Sequence, residues 1–101
     1  MTDGFEGQLA VLRRRFLDRA TTESEALEEL ASDLESGAQR ALAQKQIRRI
    51  AHSLAGAGGT FGFARISNCA AELEEFVSEV PDSPDLADAC RVLIAEIRST
   101  E

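Results

Sequence analysis

Apolar residues recur every three or four positions in the N-terminal third of the chain, the spacing that places side chains on one face of an α-helix. The first apolar stripe consists of Phe5, Leu9, Leu12 and Phe16. Thr22 and Glu25 then have the pattern of a capping box, which often begins a helix. A second stripe ends before Ser36 and Gly37 and consists of Leu27, Leu30, Ala31 and Leu34. The pattern therefore predicts two separate helices in this region.

The rest of the pattern predicts three further helices. The longest runs from about Ala38 to Gly62, and its stripe is Ala43, Ile47, Ile50, Leu54, Ala57 and Phe61. The next runs from about Phe63 to Pro81, and its stripe is Ile66, Ala70, Leu73, Phe76 and Val77. Ser83 and Pro84 suit the first positions of a fifth helix, whose stripe is Leu86, Cys90, Leu93 and Ile97.

Helices that each carry one apolar stripe bury those stripes by packing side by side, and short connections favour antiparallel neighbours. We therefore expect an all-α fold, an up-and-down four-helix bundle built from the last four helices. The first helix is predicted to lie across one end as an additional N-terminal capping helix. The length of 101 residues suits a single domain over residues 1–101.

Composition narrows the possible partners and locations. The net charge of −7 disfavours binding to nucleic acid or to an anionic membrane surface. No segment approaches the roughly twenty apolar residues of a membrane span, and the first residues lack the basic and then apolar order of a secretory signal. We therefore expect a cytoplasmic protein. Cys69 and Cys90 lack the spacing of metal ligands, so we interpret them as free thiols.

His52 is the only histidine, and the helical pattern predicts that it faces solvent. At about 100° per residue, its side chain lies about 200° from Ile50 and from Leu54, the stripe residues on either side of it. The imidazole is therefore expected to point away from the core. Residues one and two turns away on the same face are Lys45, Arg48, Arg49, Ala55, Gly56 and Gly59.

Three glycines, at positions 56, 58 and 59, follow His52 within two turns. Each costs about 1 kcal/mol in a helix interior relative to alanine, so a compensating benefit is expected. Gly56 and Gly59 lie outside the apolar stripe, and the lack of side chains there leaves the imidazole open to a visiting molecule. Gly58 lies near the stripe, which favours close approach of a neighbouring helix. The alternative is that this segment is a glycine-rich loop.

The residues around His52 suit nucleophilic chemistry on phosphorus. A free imidazole has a pKa of about 6.5, so near pH 7 it is mostly neutral and has a nitrogen lone pair available. A phosphoryl group bound to it would be dianionic, and Lys45, Arg48 and Arg49 are the nearby cations that would offset this charge. The alternative is that these three side chains form an ordinary solvated helix face.

The run from Ala51 to Phe63, AHSLAGAGGTFGF, resembles the phosphorylation-site helix and turn of histidine phosphotransfer (HPt) domains, in particular those of chemotaxis-type histidine kinases. The similarity continues on the next helix through Ala70, Ala71, Leu73 and Glu74. The resemblance implies a two-component phosphorelay protein in which His52 accepts a phosphoryl group and exchanges it with receiver-domain aspartates. It also implies a carrier without autonomous catalysis, so we do not expect an enzyme.

The resemblance further implies the partners and the roles of single residues. The partner is a response-regulator receiver domain, a hybrid histidine kinase, or both. The chain itself is expected to be a monomer without a cofactor or metal, since Mg²⁺ would be bound by the receiver. Family members commonly carry a lysine where this chain has Ala55. Either Arg48 or Arg49 supplies the charge instead, which is the alternative we favour, or the phosphorylated state is less stabilised. Glu74 would either orient the imidazole or face solvent. The small residues expected in the partner surface are Ser53, Ala55, Gly56 and Gly59.

Two functions other than phosphotransfer are compatible with a small helical domain. A helical interaction or dimerisation module, with a degenerate HPt fold and no phosphorylation, is favoured by the alanine at position 55. A small metal-binding or hydrolytic enzyme is disfavoured, because one histidine without a convergent carboxylate cluster supplies neither a metal site nor an acid-base pair.

Overall fold

A computed structural model describes residues 3–101, and its helices are α1 (Asp3–Ser36), α2 (Arg40–Thr60), α3 (Ala64–Glu79) and α4 (Leu86–Thr100). Each helix packs against the next, and α4 packs back against α1, with the most extensive contacts in the α2–α3 and α1–α4 pairs. Residues 3–101 contain no β-strand, and none of their helices has an apolar stretch long enough to span a membrane. The prediction of an all-α four-helix bundle is confirmed.

The predicted apolar stripes of the last three helices form much of the core. Their fully buried members are Ala43, Ile47, Ile50, Leu54, Ile66, Ala70, Leu73, Val77, Leu86, Cys90, Leu93 and Ile97. Each large apolar side chain buried in this way stabilises the fold by about 1.5–3 kcal/mol relative to exposure. The start of α4 lies slightly later than predicted, because the Ser83 hydroxyl accepts the N–H of Asp85 at 3.1 Å in the preceding turn.

The N-terminal region differs from the prediction, since one continuous helix of 34 residues replaces the two predicted helices. Thr22 caps no second helix, and its hydroxyl donates instead to the carbonyl oxygen of Asp18 at 3.2 Å inside α1. The buried stripe continues across the predicted break through Ala20 and Ser24. Ala20 is small and Ser24 is polar, so the two residues do not form a stripe of large apolar side chains in the sequence. The prediction of a separate capping helix is therefore wrong, and the residues assigned to that helix form the first turns of α1.

α1 extends beyond one end of the bundle. At about 1.5 Å per residue it spans about 50 Å, against about 30 Å for α2. Residues 4–15 are all exposed, and burial begins at Phe16, whose ring lies against those of Phe61 and Phe63 at the end of α2. We call residues 3–15 the N-terminal overhang.

α2 ends in a turn that brings α3 close to it. The helix continues through the glycine-rich segment to Thr60, which excludes the alternative of a loop. Gly62 adopts a φ of 83°, a conformation that favours glycine, and the N–H of Phe63 donates to the carbonyl oxygen of Gly58 at 2.8 Å. A Cβ on Gly58 would lie 3.3 Å from both the backbone nitrogen and the Cβ of Ser67. The lack of that atom allows the close helix approach that the position of Gly58 predicted.

A charged cluster joins α1 to α4 in another part of the bundle. The Arg91 guanidinium donates to the two carboxylate oxygens of Glu35 at 2.7 and 2.8 Å, and to the carboxylate of Glu28 at 3.3 Å. The hydrogen bonds from Arg91 hold the pKa of Glu35 below its ordinary value. We call these three residues the Arg91 cluster.

Candidate functional site

His52 lies on the outer face of α2. Its side chain is 77% exposed, whereas the side chains of Ile50 and Leu54 are buried in the core. This is the orientation that the helical periodicity predicted. The imidazole is therefore accessible to another molecule without any movement of the fold.

Glu74 on α3 contacts the imidazole from the side. Its carboxylate oxygen Oε2 lies 2.7 Å from His52 Nδ1, and its side chain is only 30% exposed. A carboxylate accepts hydrogen bonds, so this contact favours the tautomer in which Nδ1 is the donor and Nε2 carries the lone pair. The sequence left two positions open for Glu74, beside the ring or facing solvent, and the structure shows it beside the ring.

The close contact between α2 and α3 brings Glu74 within reach of His52. The neighbours of Glu74 on α3, Leu73 and Val77, are buried and fix the rotation of that helix. One turn from His52, the Ser67 hydroxyl donates to the carbonyl oxygen of Ala55 at 2.7 Å and joins the two helices again. The carboxylate is therefore held by the packing of the bundle.

The surface beside His52 consists of small residues. Apart from its chain neighbours and the nearby backbone of α2, a Cβ on Gly56 would meet no atom of residues 3–101 within 4 Å, so this position borders open space. Gly59 is also exposed, but a Cβ there would lie 3.3 Å from the Ser67 hydroxyl oxygen. Access to the imidazole therefore does not by itself explain the glycine at position 59. The lack of a side chain there also allows the close contact between α2 and α3. The half-buried residues at the margin of this surface are Ser53 and Ala55.

α2 carries four basic residues and no acidic one, whereas α3 carries four acidic residues and one basic one. Lys45, Arg48 and Arg49 are exposed on α2, at helical spacing from His52. His52 thus lies on a locally basic helix of an acidic protein. The replacement of the family lysine by Arg48 or Arg49 stays a prediction.

Arg19 on α1 is a further cation near the site, and the sequence analysis missed it. Its guanidinium nitrogen Nη2 donates to the hydroxyl of Ser53, the residue after His52. The contact requires α1 to run beside α2, which the predicted capping helix did not. Periodicity within one helix carries no signal for this contact, because Arg19 and Ser53 are 34 positions apart in the chain.

The described part of the chain has no group of three or more His, Cys, Asp or Glu side chains placed to hold a metal ion. His52 and Glu74 together provide one nitrogen and one carboxylate. Cys69 and Cys90 are free thiols, and burial raises the pKa of both, that of Cys90 to about 12. Both thiols are therefore mostly protonated, and weakly nucleophilic, at neutral pH.

Comparison with known proteins identifies the family. The sequence model described as the Hpt domain matches residues 11–100, a range that includes His52, Glu74 and all of the bundle except the first turns of α1. No curated protein and no solved structure matches the chain significantly. Hpt domains in general have a histidine phosphotransfer role in phosphorelays and act as carriers of the phosphoryl group. By this match over most of its length, the chain belongs to the Hpt domain family.

Proposed function

We propose that this chain carries a phosphoryl group on Nε2 of His52 and exchanges it with aspartates of receiver domains in a two-component phosphorelay. The hydrogen bond between Glu74 and His52 Nδ1 is the observation that supports the proposal most directly. A ring whose proton is held on one nitrogen presents its lone pair on the other, and here the other nitrogen belongs to an exposed side chain. The imidazole therefore presents an exposed lone pair that can attack phosphorus.

The transfer step follows from this arrangement. The Nε2 lone pair attacks the phosphorus of an aspartyl phosphate, and the nitrogen–phosphorus bond forms as the bond from phosphorus to the aspartate oxygen breaks. The electron pair of the broken bond leaves with the aspartate carboxylate. The imidazole keeps its Nδ1 proton and becomes cationic, and the Glu74 carboxylate stabilises that charge through the existing hydrogen bond. The reverse step returns the electron pair to Nε2, so no proton has to be gained or lost in either direction.

The surroundings of His52 suit a negatively charged group and a protein partner. Lys45, Arg48 and Arg49 reduce the repulsion between a phosphoryl dianion and a chain of net charge −7. Arg19 adds a guanidinium at Ser53 on the adjoining side of α2. Gly56 leaves room for the partner to approach. Because phosphoryl transfer depends mainly on positioning and on charge stabilisation, the carrier needs little catalytic machinery.

The partner in this proposal is a response-regulator receiver domain, a hybrid histidine kinase, or both. The receiver supplies the Mg²⁺ ion and the phosphorylated or accepting aspartate. The chain contributes the nucleophile, its orientation and the basic surface. It has no autonomous catalytic activity in this scheme.

A second candidate is an Hpt-fold interaction module that has lost phosphorylation. Ala55 favours it, because the lysine common in the family is missing at that position. The two candidates differ in one observable, the formation of phosphohistidine.

Incubation with phosphorylated receiver domains from the source organism tests the proposal. We expect a phosphoryl label on the chain that is acid-labile and base-stable, as for a nitrogen–phosphorus bond, and no label on the His52→Gln variant. Equal labelling of this variant would rule out His52 as the carrier. A folded wild-type chain that accepts no label from any receiver would favour the interaction module.

Glu74→Gln tests the proposed role of the carboxylate. The amide oxygen can still accept the hydrogen bond from Nδ1–H, but the negative charge that stabilises the cationic ring is gone. We expect transfer to slow by about tenfold, which corresponds to about 1.4 kcal/mol of lost stabilisation. Glu75→Gln is the matched control, since Glu75 is the next residue on α3 and is exposed. Equal rates for the two variants would refute a role for the negative charge of Glu74.

A further inference from the structure

The N-terminal overhang carries four of the seven large apolar side chains that are exposed in residues 3–101, Phe5, Leu9, Val11 and Leu12. Phe5 is 73% exposed, Leu12 is 41% exposed and Leu9 is 37% exposed. The overhang is the beginning of the 34-residue helix α1, so its backbone continues a helix that the bundle already packs, while its large apolar side chains stay in contact with water. Burial of these side chains against a partner would be favourable.

The stripe of the overhang continues the core of the bundle. Phe5, Leu9 and Leu12 lead at steps of four, three and four residues to Phe16, which is buried. The ring centroid of Phe16 lies 6.2 Å from that of Phe61 and 5.1 Å from that of Phe63. The alternation of four and three residues is the seam spacing of a coiled coil. The seam therefore has the spacing needed to pack against another helix. Only its last residue, Phe16, is already packed in the bundle.

The charges beside the seam indicate which helix fits. Glu6 lies near the tip of the overhang and Arg13 near its base, one heptad later on the same side of the seam. In an antiparallel pair of identical helices, equivalent flanking positions on the same side face each other. Glu6 of each copy then approaches Arg13 of the other, whose guanidinium lies 4.7 Å from the centroid of the Phe63 ring in its own chain. Phe5 of each copy approaches the half-buried rings of Phe61 and Phe63 of the other, which lie against the buried Phe16.

We propose that the overhang is a dimerisation surface and that its occupant is the overhang of a second copy of this chain, paired antiparallel through Phe5, Leu9 and Leu12. The pairing surface is short compared with stable interfaces, which bury about 1,200–2,000 Å² in total. The dimer is therefore reversible, and its population rises with concentration. His52 remains accessible, because it lies nine residues before Phe61, about 13 Å along α2.

Sedimentation equilibrium of the full chain from low to high micromolar concentration tests the proposal. We expect a reversible monomer–dimer equilibrium for the wild type and monomers throughout for Leu9→Glu combined with Leu12→Glu. Val11→Glu is the matched control, because Val11 is half-exposed in the same overhang but lies off the seam. Circular dichroism checks that each variant keeps its helix content. A monomeric wild type at every concentration, as expected from the sequence, would overturn the proposal, and so would equal disruption by Val11→Glu.

A charge exchange tests the antiparallel arrangement itself. Glu6→Arg places like charges at two symmetry-related contacts, and we expect the dissociation constant to rise by about tenfold. Adding Arg13→Glu in the same chain restores opposite charges, and we expect the dissociation constant to return to within about threefold of the wild-type value. A double variant that dimerises no better than Glu6→Arg would contradict this pairing. His52→Gln is expected to dimerise like the wild type, so the outcome is independent of phosphotransfer.

Discussion

The α2–α3 contact and the α1–α4 contact are the two most extensive in the bundle, and they differ in composition. α2 meets α3 through glycines and Ser67, with Glu74 reaching across to His52. The α1–α4 contact includes the Arg91 cluster, whose residues form multiple charged hydrogen bonds. The first contact contains glycines, which lower helix propensity, and it brings the Glu74 carboxylate to the His52 ring. The second contact joins its two helices through charged side chains. In the proposed function, the contact that positions the imidazole is therefore separate from the charged contact.

The largest effect is expected from filling the narrow α2–α3 contact. In Gly58→Val, the new side chain meets the backbone nitrogen and Cβ of Ser67, which cannot move aside by a simple rotation. We expect a loss of about 1–3 kcal/mol in the free energy of unfolding, measured by urea denaturation. Phosphoryl transfer is expected to slow as well, because displacement of α3 weakens the contact between Glu74 and His52.

Gly56→Val is the control for that experiment. The same side chain is added two residues earlier, where a Cβ borders open space. Valine has a slightly higher helix propensity than glycine, so we expect no loss of stability. A similar loss in both variants would show that the narrow contact is not what makes Gly58 necessary.

A smaller effect on stability, with a clear effect on function, is expected from covering the imidazole. In Gly56→Leu the side chain leans toward the helix N-terminus and over His52. We expect unfolding free energy to be unchanged or to rise by up to about 1 kcal/mol. Transfer from a phosphorylated receiver is expected to slow severalfold. Ala41→Leu, at an exposed position near the start of α2, supplies the comparison, and equal transfer rates would contradict the role of Gly56 in access.

The smallest effect is expected from titration of the Arg91 cluster. Because Arg91 lowers the pKa of Glu35 below its ordinary value of 4.5, the ionised carboxylate stabilises the fold above that pH. This contribution is lost as the pH falls through the lowered pKa of the folded state. We therefore expect the stability difference between the wild type and Arg91→Met to shrink from neutral to strongly acidic pH. Glu35 is exposed, so the difference is modest.

Arg98→Met controls for the general effect of removing a positive charge from α4. Arg98 is exposed in the last turn of that helix. Its removal is expected to change stability by an amount that varies little over the acidic range in which Glu35 titrates. A difference for Arg91→Met that stays constant with pH would exclude the proposed coupling to Glu35.

The sequence predicted the features that depend on periodicity within one helix. The stripe from Ala43 to Leu54 places Ile50 and Leu54 inside and His52 outside, and this follows from helix geometry alone. The bundle follows from the same stripes. The continuity of α1 was missed, because Ala20 and Ser24 are buried at seam positions but do not resemble a stripe of large apolar residues.

The contacts between helices were less accessible to sequence reasoning. Glu74 was recognised as a candidate, but its distance from Nδ1 depends on the rotation and separation of α2 and α3. The separation is set by Gly58 and Ser67, and the rotation of α3 is set by its buried residues Leu73 and Val77. The bond from Arg19 to Ser53 joins residues far apart in sequence, and no periodicity within one helix encodes it.

The position of His52 on the convex side of a helix has a consequence for selectivity. A ring that projects from a cylinder is not enclosed by walls, so the shape of a cavity does not select which molecule reaches it. In the proposed function, recognition is therefore expected to be spread over many shallow contacts on the surrounding helix faces. Substitution of one such surface residue would therefore change the relative affinities for competing partners by a small amount, and it would not abolish binding to any of them.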